Sequence, residues 1–162
     1  MTRTFCLLAA LGLAACESPA PAAPADGRPA ERASSGPLVI SAAYTPPAPA
    51  GGTGGLFFRI DGGPEADTLR SVAFAAAERA EVHESYDAGD GMRGMRAVDA
   101  VPVAAGGVTE LAPGGFHIML INLSGALAPG DTLRAEATFA RAGTVPVVAV
   151  VRPLGEMPHA TP

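Results

Sequence analysis

From Pro37 onward the chain runs as short apolar or alternating segments, each cut after a few residues by Gly, Pro or Asp. That rhythm constrains the fold more than any other feature, because it suits strands and tight turns rather than long helices. Candidate strands cover 38–44, 56–61, 68–75, 80–85, 95–98, 116–123, 132–140 and 145–151. Turn material separates them: PPAPAGGTGG, GGPEAD, DAGDGM, APGG, APGD and ARAG. The segment Leu133-Arg134-Ala135-Glu136-Ala137-Thr138-Phe139 alternates with period two, as a strand with one buried and one wet face should. Residues 73–80 (AFAAAERA) have the propensity for a helical turn but are too few to change the class. Seven or eight short strands at a spacing of about ten residues indicate an all-β antiparallel sandwich.

The 162 residues hold one ordinary domain once the ends are discounted. Val, Leu, Ile and Phe suffice for a modest core, although much of the 48% apolar content is alanine. The net charge is −5 and no cluster of Lys and Arg is present, which argues against nucleic acid as a partner.

The start of the chain reads as an address. Arg3 precedes an apolar run over 5–15, too short for a membrane span. The run ends in Leu13-Ala14-Ala15-Cys16, which resembles a bacterial lipobox. This implies a signal peptide over 1–15 and a lipid-modified Cys16 in the cell envelope, facing the periplasm. Glu17 is not the Asp that signals inner-membrane retention, so the outer membrane is favoured. Residues 16–37 then form the lipidated cysteine and a Pro/Ala-rich tether, 38–152 the domain, and 153–162 a flexible tail. The two cysteines, Cys6 and Cys16, both precede the domain and cannot staple it.

Enzyme constellations are not visible. Ser71, Ser85 and Ser124 sit in no nucleophile motif, no Gly-rich phosphate loop precedes a helix, and the acid pairs Glu65/Asp67 and Glu81/Glu84 read as solvated carboxylates. The histidines and methionines stand out instead. His83, Met92, Met95, His117 and Met119 fall within one short stretch, with Met157 and His159 in the tail. His117 and Met119 are two apart on a candidate strand and therefore leave the same face. Imidazole and thioether together select a soft ion such as copper(I), whereas magnesium or calcium would want oxygen ligands. Taken singly, a Met on a strand is more often core and a His more often surface. The grouping is what points to a site.

The run His83-Glu84 … Gly91-Met92-Arg93-Gly94-Met95-Arg96 … Leu111-Ala112-Pro113-Gly114-Gly115-Phe116-His117-Ile118-Met119-Leu120 resembles the periplasmic copper chaperone family associated with the copper(A) centre of cytochrome c oxidase. That family's signature is a His, ten residues, a Met, twenty-one residues, then His-x-Met. Met95 and His117 are separated by twenty-one residues here, while His83 and Met95 are separated by eleven, and position 85 carries Ser85 where the family often has Met. Pro129-Gly130-Asp131, the segment from Phe139 to Gly143 and the segment from Glu65 to Leu69 add to the likeness, which spans 38–151. The resemblance implies a cupredoxin-like Greek-key β-sandwich and no enzyme activity. Its copper(I) would be held by His83, Met95, His117 and Met119, with Met92 as a possible auxiliary ligand. It also implies delivery of copper to the copper-site subunit of cytochrome c oxidase or to another periplasmic copper chaperone. Without a thiolate in the domain, a blue-copper electron carrier is disfavoured. The rival from another class is a metal-free immunoglobulin-like scaffolding or adhesion lipoprotein.

Overall fold

The computed structural model describes residues 32–35 and 38–156. Among these are eleven strands: β1 (Arg32–Ser35), β2 (Leu38–Thr45), β3 (Gly54–Asp61), β4 (Asp67–Phe74), β5 (Ala77–Gly89), β6 (Met92–Ala97), β7 (Val101–Val103), β8 (Val108–Leu111), β9 (Phe116–Leu123), β10 (Thr132–Phe139) and β11 (Gly143–Val151). Cys16, Met157 and His159 lie outside the described residues, as do the signal peptide and most of the tether and tail.

The strands form one hydrogen-bonded path, β6-β5-β9-β8-β3-β2-β11-β10-β4-β7, with β1 on β2 and a second link between β9 and β3. Strands β4 and β5 are far apart on this path, yet only Ala75 and Ala76 separate them in sequence. The sheet must therefore fold over on itself, and buried residues from both halves join in one core. Leu56, Phe58 and Ile60 of β3 and Ile118 and Leu120 of β9 meet Ala137 and Phe139 of β10 and Val145, Val147 and Ala149 of β11. Strand β2 makes the corner. It pairs with β3 through Ser41, shifts register, and resumes at Tyr44, with Ala42 between them at φ 52°. Its last residues then pair in parallel with β11.

All-β architecture and the eight expected strands are present, and the differences have local causes. Strand β7 is three residues long with a central Pro102, a composition tolerated at the edge position it occupies. It and the four-residue β8 carry too little alternation to be read from sequence. The helical propensity at 73–80 is overridden: Val72 and Phe74 are buried by strand alternation, and the chain turns at Ala75–Ala76. Strand β1 falls inside the stretch expected to be tether and is held by backbone pairing with β2, which leaves no mark on composition. The DAGDGM turn shrinks to Asp90-Gly91, both at positive φ (52° and 73°), the conformation that matches hairpin twist. Strands β5 and β6 consequently run longer than expected.

Asp67 ties the β10–β11 turn to β4. Its Oδ1 accepts the backbone N–H of Thr68 (2.7 Å) and Arg141 (2.9 Å), and its Oδ2 accepts that of Ala142 (2.9 Å). Burial pushes the carboxyl up, but these three N–H donors and the Arg141 charge outweigh it and hold it below the usual aspartate range. A depressed folded value means the ionised group stabilises the fold above its unfolded value. That contribution is lost as pH falls through the folded value. Asp67→Ala should cost about 1–2 kcal/mol at neutral pH in urea unfolding. The variant's stability should also fall less steeply than the wild type's below the ordinary aspartate range; parallel acid profiles would contradict this.

Candidate metal centre

The site is set by the register of β5 against β9. His83 and His117 are direct cross-strand partners, with ring centroids 5.9 Å apart and planes inclined by 48°. Their neighbours Val82 and Ile118 point into the core. Alternation therefore turns both imidazoles to the outer face of the sheet. They are nonetheless sheltered there: His117 is 7% exposed and the His83 side chain 13%.

Met119, two residues beyond His117, shares its face and is half-buried. It lies opposite Glu81 on one side and Gly55 on the other. Met95 on β6 pairs with Ser85, while Ala97 pairs with His83. Met95 thus rises on the histidine face one step along the strand, at an open rim where it is 59% exposed. Met92 is three residues earlier, beyond the register shift between Asp87 and Gly89, and alternation turns it to the opposite face. The structure gathers His83, His117 and Met119 on adjoining strands, adds Met95 at the rim of the same face, and leaves Met92 out.

Two contacts define the imidazoles. His117 Nδ1 lies 3.1 Å from the Gly115 carbonyl oxygen, which can only accept. Nδ1 therefore carries the proton, and Nε2 is left with the lone pair. Gly115 is held in turn, its carbonyl accepting the Ser85 N–H at 3.0 Å and its N–H donating to Ala112 at 3.0 Å. His83 Nε2 lies 3.2 Å from Glu81 Oε2, and its Nδ1 is buried with no hydrogen-bond partner among the described residues. An orphaned imidazole nitrogen on one ring and a lone-pair nitrogen on the facing ring suit a shared cation.

Aromatic rings close one side. Phe57 faces His117 with ring centroids 6.3 Å apart and stacks on Tyr44 at 5.1 Å, and Arg152 lies 5.8 Å over the Tyr44 ring. Burial pushes the Tyr44 hydroxyl up, only partly offset by Arg152. The Phe57 ring leans over Gly55, where an added Cβ would sit 2.8 Å from Cζ.

Among the described residues, no group of three or more His, Cys, Asp or Glu side chains gathers for a metal. The arrangement is therefore two nitrogens with thioether sulfurs, a donor set for a soft ion. The sequence marks Gly115 only as part of the run that resembles the copper chaperone family and offers no reason to single out Phe57. It read Glu81 as solvated, although its i,i+2 spacing from His83 on a strand was the available signal.

Fold and site together define a cupredoxin-like β-sandwich bearing imidazoles and thioethers on the outer face of one sheet half. A family model described as "Putative lipoprotein LpqE-like" matches residues 38–151, and the chain belongs to that family. No curated protein matches it. Among solved structures, the copper-bound PCuAC domain from PmoF2 is 22% identical at a TM-score of 0.61, covering 75% of this chain and 97% of its own. The apo PCuAC domain from PmoF1 is 20% identical at 0.63, covering 75% and 98%. Apo-DR1885 from Deinococcus radiodurans, solved in solution, is 23% identical at 0.55, covering 89% and 96%. The resemblance to the copper chaperone family drawn from the sequence is borne out by these matches.

Gly55→Ala should displace the Phe57 ring and shift the His117 and Met119 side-chain resonances while leaving the circular dichroism spectrum of the sandwich unchanged. Unmoved His117 resonances would show that Phe57 does not wall the site.

Proposed function

We propose that the domain is a periplasmic copper(I) chaperone that holds one ion through His83, His117, Met119 and Met95 and passes it on by ligand exchange. The observation that carries this reading is the facing His83–His117 pair, with His83 Nδ1 buried and without a hydrogen-bond partner among the described residues and His117 Nε2 holding its lone pair, on the face that also bears Met119 and Met95. The family match and the PCuAC neighbours, one of them copper-bound, support it.

The residues divide the task. The two imidazoles and Met119 form a sheltered seat, backed by Phe57. Met95, exposed on the β5–β6 ribbon, is the donor that an acceptor's ligand can replace first. Copper(I) has a filled d shell and tolerates low coordination, so one ligand can leave as another enters. Thioethers serve here because they persist in an oxidising compartment where free thiols would pair. Lipid on Cys16 would anchor the protein in the envelope, with the outer membrane favoured, and about fifteen tether residues before β1 would span on the order of 45 Å if fully extended. The recipient is the copper-site subunit of cytochrome c oxidase or another periplasmic copper chaperone.

In competition with a copper(I) chelator, the double variant His117→Ala/Met119→Ala should lose stoichiometric binding. Met95→Leu should weaken it by about tenfold, equivalent to about 1.4 kcal/mol. Met92→Leu should leave it unchanged. Wild-type affinity in the double variant would end the copper reading and favour a metal-free scaffolding lipoprotein.

A further inference from the structure

We infer that Glu81 is a positioning residue that selects which nitrogen of His83 faces the cation, so that His83 binds through Nδ1 while His117 binds through Nε2. This rests on the copper reading above. Strand geometry puts residues two apart on the same face, about 7 Å from one Cα to the next, within reach of a glutamate and an imidazole. Glu81 Oε2 accordingly lies 3.2 Å from His83 Nε2.

An ionised carboxylate can only accept, so Nε2 carries the proton and donates it to Glu81. The lone pair is then on Nδ1, the buried atom without a hydrogen-bond partner among the described residues. The second carboxylate oxygen, Oε1, is engaged by Arg79 Nη1 at 3.6 Å, which turns Oε2 toward the ring. Met119 is the residue opposite Glu81 on β9, a thioether that does not compete for the proton. Glu81 stands behind the ligand rather than among the ligands, since among the described residues no third His, Cys, Asp or Glu joins a metal-sized group there.

The two imidazoles are thus oriented by unlike acceptors. A neutral backbone carbonyl at Gly115 holds His117, and a carboxylate holds His83. The carboxylate fixes the rotation of the His83 ring, since a half-turn about the Cβ–Cγ bond would exchange the ring nitrogens for carbons. Its side chain is 36% exposed, so its removal exposes little core and should not unfold the sandwich.

The test reads the imidazole without copper. In long-range proton–nitrogen NMR spectra of the full-length protein at about pH 8, where imidazole is neutral, His83 should show a protonated Nε2 with an exchange-protected proton and a bare Nδ1. Glu81→Ala should lose that protection; Glu81→Gln, whose amide oxygen still accepts, should keep it. In copper(I) competition, Glu81→Ala should bind roughly 10- to 100-fold more weakly and Glu81→Gln closer to wild type. A proton on Nδ1 in the wild type, or wild-type copper affinity in Glu81→Ala, would overturn the inference. Because the NMR measurement involves no cation, a protein that failed to bind copper at all would overturn the proposed function without touching the imidazole assignment.

Discussion

The antiparallel register of β5 on β9 is the interaction on which the rest depends. It sets Val82 and Ile118 inward and His83 and His117 outward as facing partners. A slip of one residue in β5 would send His83 into the core and Val82 to the surface, separating the two imidazoles onto opposite faces. The core therefore enforces the site: Leu120, Ile118 and Val82 hold the register because their burial is lost if it moves. The chemistry sits on the outer face, but the apolar inner face fixes it there.

The two ends of the site differ in rigidity by construction. His83, His117 and Met119 lie where β3, β9 and β5 are paired side by side, with Phe57 against the His117 ring. Past the pair Glu84–Phe116, β5 leaves β9 and continues with β6 as a two-stranded ribbon. The hydrogen bond from the Ser85 N–H to Gly115 (3.0 Å) and a longer one from Arg93 to Gly114 (3.5 Å) link that ribbon back. An isolated two-stranded ribbon is marginal in water. A carrier gains from this division, since it needs a preorganised seat and one donor free to move.

The sequence revealed those parts of the fold whose signal is local. Period-two alternation in β10 and the His-x-Met spacing in β9 could be read directly, as could the turn residues between strands. Long-range pairing could not. Nothing near His83 announces that it faces His117, and although the spacing to His117 already sets Met95 apart from Met92, only the pairing of β6 with β5 puts Met95 on the histidine face. Strand β7, with Pro102 at its centre, is a strand only because β4 accepts it at an edge. Glu81 read as a solvated acid because its partner lies across a side-chain contact rather than in a motif, and Phe57 acquires a role only where β3 meets β9.

X-ray absorption at the copper edge of the copper(I)-loaded protein identifies and counts the atoms around the ion. A first shell of imidazole nitrogen together with thioether sulfur is expected. A shell of nitrogen and oxygen alone, without sulfur, would contradict the proposed site.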